Sequence, residues 1–226
     1  MKIFNETTKW LFFLCLPLLL LSASVGGAAN SLALYRYGFD KYEVGRATGL
    51  SEVELERAAR GLIDYCNSSE EYISLTVVKD GQPFTLFNER EIVHLKDVKG
   101  LFRLDYWVFL GTLLYSLAYA GFILWLREGR RLAWGLVVGN GLTLGLMLAL
   151  GLSTILDFDQ LFLQFHLFSF TNELWQLDPG RDYLIMLFPR GFWYDTTLIC
   201  AMATAVGAVV LGGVGGYRLF SQSRPD

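Results

Sequence analysis

The chain contains two histidines, and their settings differ in kind. His94 stands in "NEREIVHLKDVKGLF" (88–102), with Glu91 three residues before it and Asp97 three after. His166 stands in "LFLQFHLFSFTNELWQLDPG" (161–180), among Phe162, Phe165, Phe168 and Phe170. Residues three and four apart share a helical face, so the carboxylates beside His94 favour its charged form, whereas aromatic burial favours a neutral His166. Two titratable groups pushed apart in this way suit acid and base roles at one pH. Taken singly, each has a plainer reading: His94 as a solvated surface residue, His166 as a hydrogen-bonded interior one.

Other chemistries fit less well. A zinc site needs at least three protein ligands, so Glu91 or Asp97 would have to join both histidines. The sequence holds no HxH, HxxxH or HExxH to anchor such a site, and no metal is expected. There is no GxSxG, Cys66 has no nearby base, and phosphate cradles and dinucleotide loops are absent. No cofactor is expected.

The elements that must carry these histidines are written in the hydropathy. The chain is 53% hydrophobic and 18% charged, against roughly 25% charged in an ordinary soluble domain. A formal net charge of −3 gives no basic face for nucleic acid. Four uncharged runs, residues 10–35, 106–126, 132–156 and 196–217, each have the roughly 20 residues needed to cross a bilayer. The fold class is therefore an α-helical membrane protein: four transmembrane helices with a small extracytoplasmic α/β cap. The second and third spans, joined only by residues 127–131, form an antiparallel hairpin.

The start, "MKIFNETTK" then "WLFFLCLPLLLLSASVGGAAN", also resembles a secretory signal. Its uncharged run exceeds the roughly 7–15 residues of a usual signal core, so an uncleaved signal-anchor is expected. Lys2, Lys9, Arg127, Arg130, Arg131, Arg218 and Arg224 all flank one side, which the positive-inside rule makes cytoplasmic. The expected order is N-terminus and first span (1–36), outward cap (37–104), second span (105–127), inward turn and third span (128–156), outward interfacial helix and loop (157–194), and last span with its tail (195–226). Both histidines then face outward at the membrane surface, and both termini lie in the cytoplasm.

Within the cap, Ser51 and Glu54 have capping-box spacing, and Val53, Leu55, Ala59, Leu62 and Ile63 predict an amphipathic helix over 52–66. Two β-rich runs, 72–78 and 83–87, flank Asp80-Gly81, a hairpin signal. Asn88 three residues before Glu91 predicts the start of a helix carrying His94, with residues 99–105 separating it from the second span. In the second outward piece, Asp157 or Asp159 caps a helix over about 160–175, since a carboxylate accepts from first-turn amides, and Pro179-Gly180 stops it. Residues 183–188 read as an edge strand or a re-entrant segment, and Asp195 as the cap of the last span. The pairs Gly135/Gly139, Gly141/Gly145 and Gly212/Gly216 allow close helix approach. Packing within the bundle is the expected use, which makes the protein a monomer, with a homodimer as the alternative.

On the residues alone, a non-enzymatic membrane scaffold or chaperone and a lipid acyltransferase or hydrolase all remain open. A transporter fits less well, because the spans carry no ionisable residue near the bilayer centre.

The segments "NEREIVHLKDVKGLF" and "FHLFSFTNELWQLDPGRDYLIMLFPRGFWYD" (165–195) resemble the lipoprotein intramolecular transacylases, the Lit family. The likeness extends to the plan of the chain: four spans, a cap between the first two, a second outward piece before the last. Ser169 and Arg181 depart from the family's usual residues. The resemblance implies a bacterial plasma-membrane enzyme whose partners are diacylated lipoproteins and membrane lipids. It would move the sn-2 acyl chain of the diacylglyceryl group to the α-amino group of the same N-terminal cysteine. His94 and His166 would be the catalytic pair, one base and one acid. Trp175, Tyr183, Phe192, Trp193 and Tyr194 are candidates for the pocket wall, and Glu91, Asp97, Asn172 and Arg190 for polar contacts to substrate.

Overall fold

The computed structural model describes residues 2–221, with side chains from Glu6 onward. Arg224 and the Lys2 side chain, both counted in the charge argument above, lie outside the described residues. In chain order the elements are α1 (Lys2–Ala29), α2 (Leu32–Lys41), α3 (Val44–Thr48), α4 (Glu52–Asn67), β1 (Thr76–Lys79), β2 (Gln82–Thr85), α5 (Glu89–Trp125), α6 (Gly129–Leu156), α7 (Phe158–Ser169), α8 (Tyr183–Leu187) and α9 (Arg190–Ser221). Four of these helices are long and apolar enough to cross a membrane: α1 over Glu6–Ala29, α5, α6 and α9.

The chain divides into two compact units. One comprises Met1–Gly26, Asp105–Leu156 and Leu198–Asp226, and its packing depends on small residues. Phe12, Phe13 and Leu16 of α1 cluster with Tyr119 and Ile123 of α5, the Phe12 and Tyr119 rings stacking at 4.5 Å. A Cβ on Gly135 would meet Phe12, and one on Gly139 would meet Leu16 and the Phe13 backbone. That pair therefore serves packing inside this unit. Gly141, Gly145 and Gly216 have nothing within 4 Å; on α9 a Cβ on Gly212 would lie 3.3 Å from Asn140, and Gly215 comes closer still, its Cβ 2.7 Å from the Ala133 carbonyl.

The other unit comprises Gly27–Leu104 and Asp157–Thr197. Its core gathers Phe39, Val44, Leu55, Ala58, Leu62, Val77, Leu86, Leu187, Phe188 and Phe192 among others. Here several expectations are corrected. The first uncharged run is two helices, because Ser31 Oγ accepts from the Leu34 amide and starts α2 afresh. Ser51 likewise starts α4, accepting from Glu54 N. Glu54 does not close the capping box; it accepts from Val78 N at 2.8 Å and pairs with Arg57. Val53, placed on the apolar face from the sequence, is exposed, and Ala58 takes its place in the core.

The hairpin forms at Asp80-Gly81, both with positive φ (52° and 75°), the backbone of a two-residue turn that twists with the strands. Register pairs Val77 with Phe84 and Val78 with Pro83. The Leu86 N–Leu75 O bond puts Val77/Phe84 in the hydrogen-bonded set, so Val78 and Pro83 turn their backbones outward. Glu54 occupies that outward amide on β1, and on β2 the position is a proline without one.

No break separates the His94 helix from the second span: α5 is continuous for 37 residues. Residues 89–125 contain no proline, and a Cβ at Gly100 would meet nothing, so no local feature interrupts the helix. α7 ends at Ser169 rather than near 175, with Phe170 extended. Of the two readings of residues 183–188, the edge strand is corrected: Tyr183–Leu187 is a short helix, α8, held at its first turn by Glu91 Oε1, which accepts from Leu184 N at 2.6 Å. α9 begins at Arg190, directly after Pro189. Asp195 therefore lies inside the helix and does not cap it; its carboxylate accepts from Lys41, Tyr37 and Tyr42.

Candidate active site

The phase of α5 is set at its first turn. Asn88 Oδ1 accepts from Glu91 N at 3.1 Å and Glu91 Oε2 accepts from Asn88 N at 2.8 Å, a closed capping box. With the start fixed, Arg90, His94 and Asp97 follow at i, i+4 and i+7 along one face. α7 is fixed in the same manner by Asp157, whose Oδ1 accepts from Gln160 N at 3.0 Å. Phe158, Phe162 and His166 then share its inward face. Charged residues crowd α5 before Asp105, so this part of the helix stands outside the apolar span.

The two imidazoles meet inside this unit. Their ring centroids lie 6.4 Å apart at an interplanar angle of 29°, and His94 and His166 are only 6% and 7% exposed. Around His166 stand Phe162 (4.2 Å), Trp175 (4.9 Å), Phe165 (5.3 Å) and Phe170 (5.5 Å); Phe170 also edges onto His94 at 5.0 Å.

The tautomer of His166 follows from one contact. Its Nδ1 lies 2.7 Å from the Phe162 carbonyl oxygen. A carbonyl only accepts, so Nδ1 carries the hydrogen and the lone pair of the neutral ring is at Nε2. Burial pushes the His166 pKa below its ordinary value, partly opposed by that backbone bond. Burial and the neighbouring His166 push His94 down further, to about 4, against the pull of Asp97. The expectation of one charged and one neutral histidine is thus corrected: desolvation outweighs the carboxylate, and both rings are neutral at pH 7. His94 Nδ1 is buried and has no hydrogen-bond partner among the described residues.

Of the polar candidates, Asp97 and Asn172 are brought together, Asn172 Nδ2 donating to Asp97 Oδ2 at 2.9 Å. Glu91 is 1% exposed, and both its oxygens hold main-chain amides, of Asn88 and Leu184. Its carboxylate is thus engaged within the fold, at the starts of α5 and α8. Arg190 pairs with Asp159 and is largely exposed. Of the aromatic candidates, Trp175 touches His166 directly. Trp193 packs on Phe162 and Tyr194 on Phe158. Phe192 is a core residue lying over Gly38, and the Tyr183 hydroxyl accepts from Lys79 beside Phe84. Neither has a ring contact with a histidine.

Two polar residues escaped sequence reasoning. Arg90 donates through Nε and a terminal nitrogen to the carbonyls of Leu174 (3.3 Å) and Glu173 (2.5 Å); its four-residue spacing from His94 was the available signal. Asp182, fully buried, accepts from Asn88, Asp178 N and Arg181, and only its partners' positions reveal that. Among the described residues no three His, Cys, Asp or Glu side chains gather as a metal-ligand set.

Comparison with known proteins bears on the fold and the family. The family model "Lipoprotein intramolecular transacylase Lit" matches residues 10–193. The structure resembles that of the membrane integral lipoprotein intramolecular transacylase Lit from Bacillus cereus, with a TM-score of 0.84 over 98% of this chain and 99% of that one, at 17% identity. A histidine-to-alanine variant of the same protein gives a TM-score of 0.78 at 16% identity, over 98% and 96% of the two chains. At such identities the likeness speaks for the fold. An uncharacterised protein of Aquifex aeolicus is 30% identical over 125 residues, 55% of this chain and 54% of that one, so this chain spans about half the length of that relative. The family match covers most of the sequence, both histidines included, and the chain belongs to the lipoprotein intramolecular transacylase (Lit) family.

Proposed function

We propose that the protein moves the sn-2 acyl chain of a diacylglyceryl lipoprotein to the α-amino group of that lipoprotein's own N-terminal cysteine, at the extracytoplasmic face of a bacterial plasma membrane. In this reading α1 is a retained span, the termini are cytoplasmic, and the unit holding the histidines faces outward. The observation that carries the chemistry is a pair of buried, neutral imidazoles, one with its lone pair assigned to Nε2.

The step balances without a co-reactant. The amine nitrogen attacks the ester carbonyl carbon while His166 Nε2 takes one N–H proton. The tetrahedral centre collapses, the bond to the glyceryl C2 oxygen breaks, and the resulting imidazolium returns the proton to that oxygen. One imidazole thus serves as base and then acid, as in acyl transfer generally. His94, held neutral, suits a hydrogen-bond donor to the developing oxyanion; a neutral imidazole can fill that role. Since amine and ester belong to one molecule, the surrounding rings act chiefly by holding a folded conformer in which the two ends meet.

Product and substrate are isomers, so intact mass does not separate them. The test is tandem mass spectrometry of a lipoprotein's N-terminal peptide, after expression in a bacterium that retains diacyl lipoproteins. The expected fragments show an amide-linked acyl chain and a singly acylated glycerol, lost in His94→Ala and in His166→Ala. A free amine with both esters intact in the wild type overturns the proposal. A free amine with one ester lost instead identifies a hydrolase.

A further inference from the structure

Residues 170–177 cross the histidine pair without regular secondary structure; local main-chain bonds such as Gln176 N to Glu173 O and Leu177 N to Trp175 O turn the segment, and side chains tie it to α5. Two latches do so, and both rise from the α5 face that carries His94. Arg90 holds the carbonyls of Glu173 and Leu174. Asp97 holds Asn172, whose Oδ1 accepts in turn from Leu174 N at 3.0 Å. The next residue, Trp175, lies with its ring 4.9 Å from His166. A planar guanidinium addressing two successive carbonyls fixes the direction of the backbone at that point, which a single ammonium does not.

We propose that Arg90 is a positioning residue for the acyl transfer: by clamping the 173–174 carbonyls it seats Trp175 on His166, keeping the base dry and its Nε2 aimed at the reacting nitrogen. The inference rests on the transacylase reading above. Arg90 touches neither histidine in this role; it acts through Trp175. The groups facing His166 are His94 from α5 and the uncharged rings of Phe162, Phe165, Phe170 and Trp175; Asp97 acts on His94.

Because the chain has two histidines, full-length protein labelled with 15N-histidine shows two imidazole titrations, assigned with His94→Gln. In Arg90→Met, water reaches His166 and its titration midpoint rises towards the ordinary value, while that of His94 moves little. Conversion slows roughly tenfold or more, the scale expected when a reacting group is displaced by a fraction of an ångström or more. Arg90→Lys, able to hold one carbonyl, falls between. Trp175→Ala gives the same His166 rise, and the double variant adds nothing further. An unchanged His166 midpoint in Arg90→Met overturns the proposal whether or not activity falls, as does a double variant whose shifts add. A wild-type chain that leaves the lipoprotein unaltered refutes the assigned reaction instead, a result the imidazole titration does not depend on.

Discussion

Acidification provides a direct test of the depressed His94 pKa. Burial, with His166 adding to it, lowers His94 from 6.5 to about 4. Between those values the unfolded chain binds a proton at this residue and the folded chain does not. Stability is therefore intact above the unfolded pKa and declines as pH falls through the window towards 4. At about 1.36 kcal/mol per pKa unit, the loss from pH 7 to pH 5 is about 2 kcal/mol, which corresponds to roughly 4–8 °C in Tm for a chain of this size. His166, also depressed, adds in the same direction. Thermal unfolding in one detergent at the two pH values measures the sum. His94→Gln, similar in size and without the titration, should remove the His94 share, while carboxylates outside its contacts contribute equally to both proteins. Equal pH sensitivity in wild type and variant, or a His94 imidazole titrating near 6.5, refutes the reasoning.

Other predictions concern the scaffold. A Cβ on Gly191 would lie 2.3 Å from the Tyr42 ring, so Gly191→Ala should cost about 1–3 kcal/mol by overpacking, read as a lower unfolding temperature. In the span unit, Gly215→Ala meets the Ala133 backbone and should destabilise, whereas Gly213→Ala, with nothing within 4 Å, should be neutral or slightly stabilising in the same melt. Glu91→Ala leaves the buried Leu184 amide without its acceptor, worth about 1–3 kcal/mol, and opens the capping bond to the more exposed Asn88 amide; Glu91→Gln, which keeps one acceptor oxygen, should lose less.

The features read correctly from sequence are those enforced locally. The span-length apolar runs, the Ser51 and Asp157 caps, the Asp80-Gly81 turn and the Asn88/Glu91 box each depend on residues within a few positions of one another. Errors arose where a distant partner decides. Residues 183–188 look like a strand until Glu91, far away in sequence, takes the Leu184 amide. Asp195 is the exception, displaced from the cap by a local cause, the start of α9 directly after Pro189, though its partners Lys41, Tyr37 and Tyr42 are distant. The charge state of His94 was misread because Asp97 is visible in the sequence and desolvation is not. Arg90 was missed because its partners are main-chain carbonyls, which leave no mark in residue type.

The hairpin has a consequence for what the enzyme can ignore. An extended polypeptide often binds by adding itself to a sheet, bond by bond, and so is read along its length. Here the Glu54 carboxylate takes the outward Val78 N–H on one margin, and Pro83 has no N–H to offer on the other, which leaves the outward groups of Thr76 and Thr85 at the strand ends. A polypeptide laid along either margin would find the donor nearest the turn already taken or missing. If the proposed reaction on a lipidated terminus holds, a hairpin with so few free donors near its turn suits a protein that accepts whatever sequence follows that terminus.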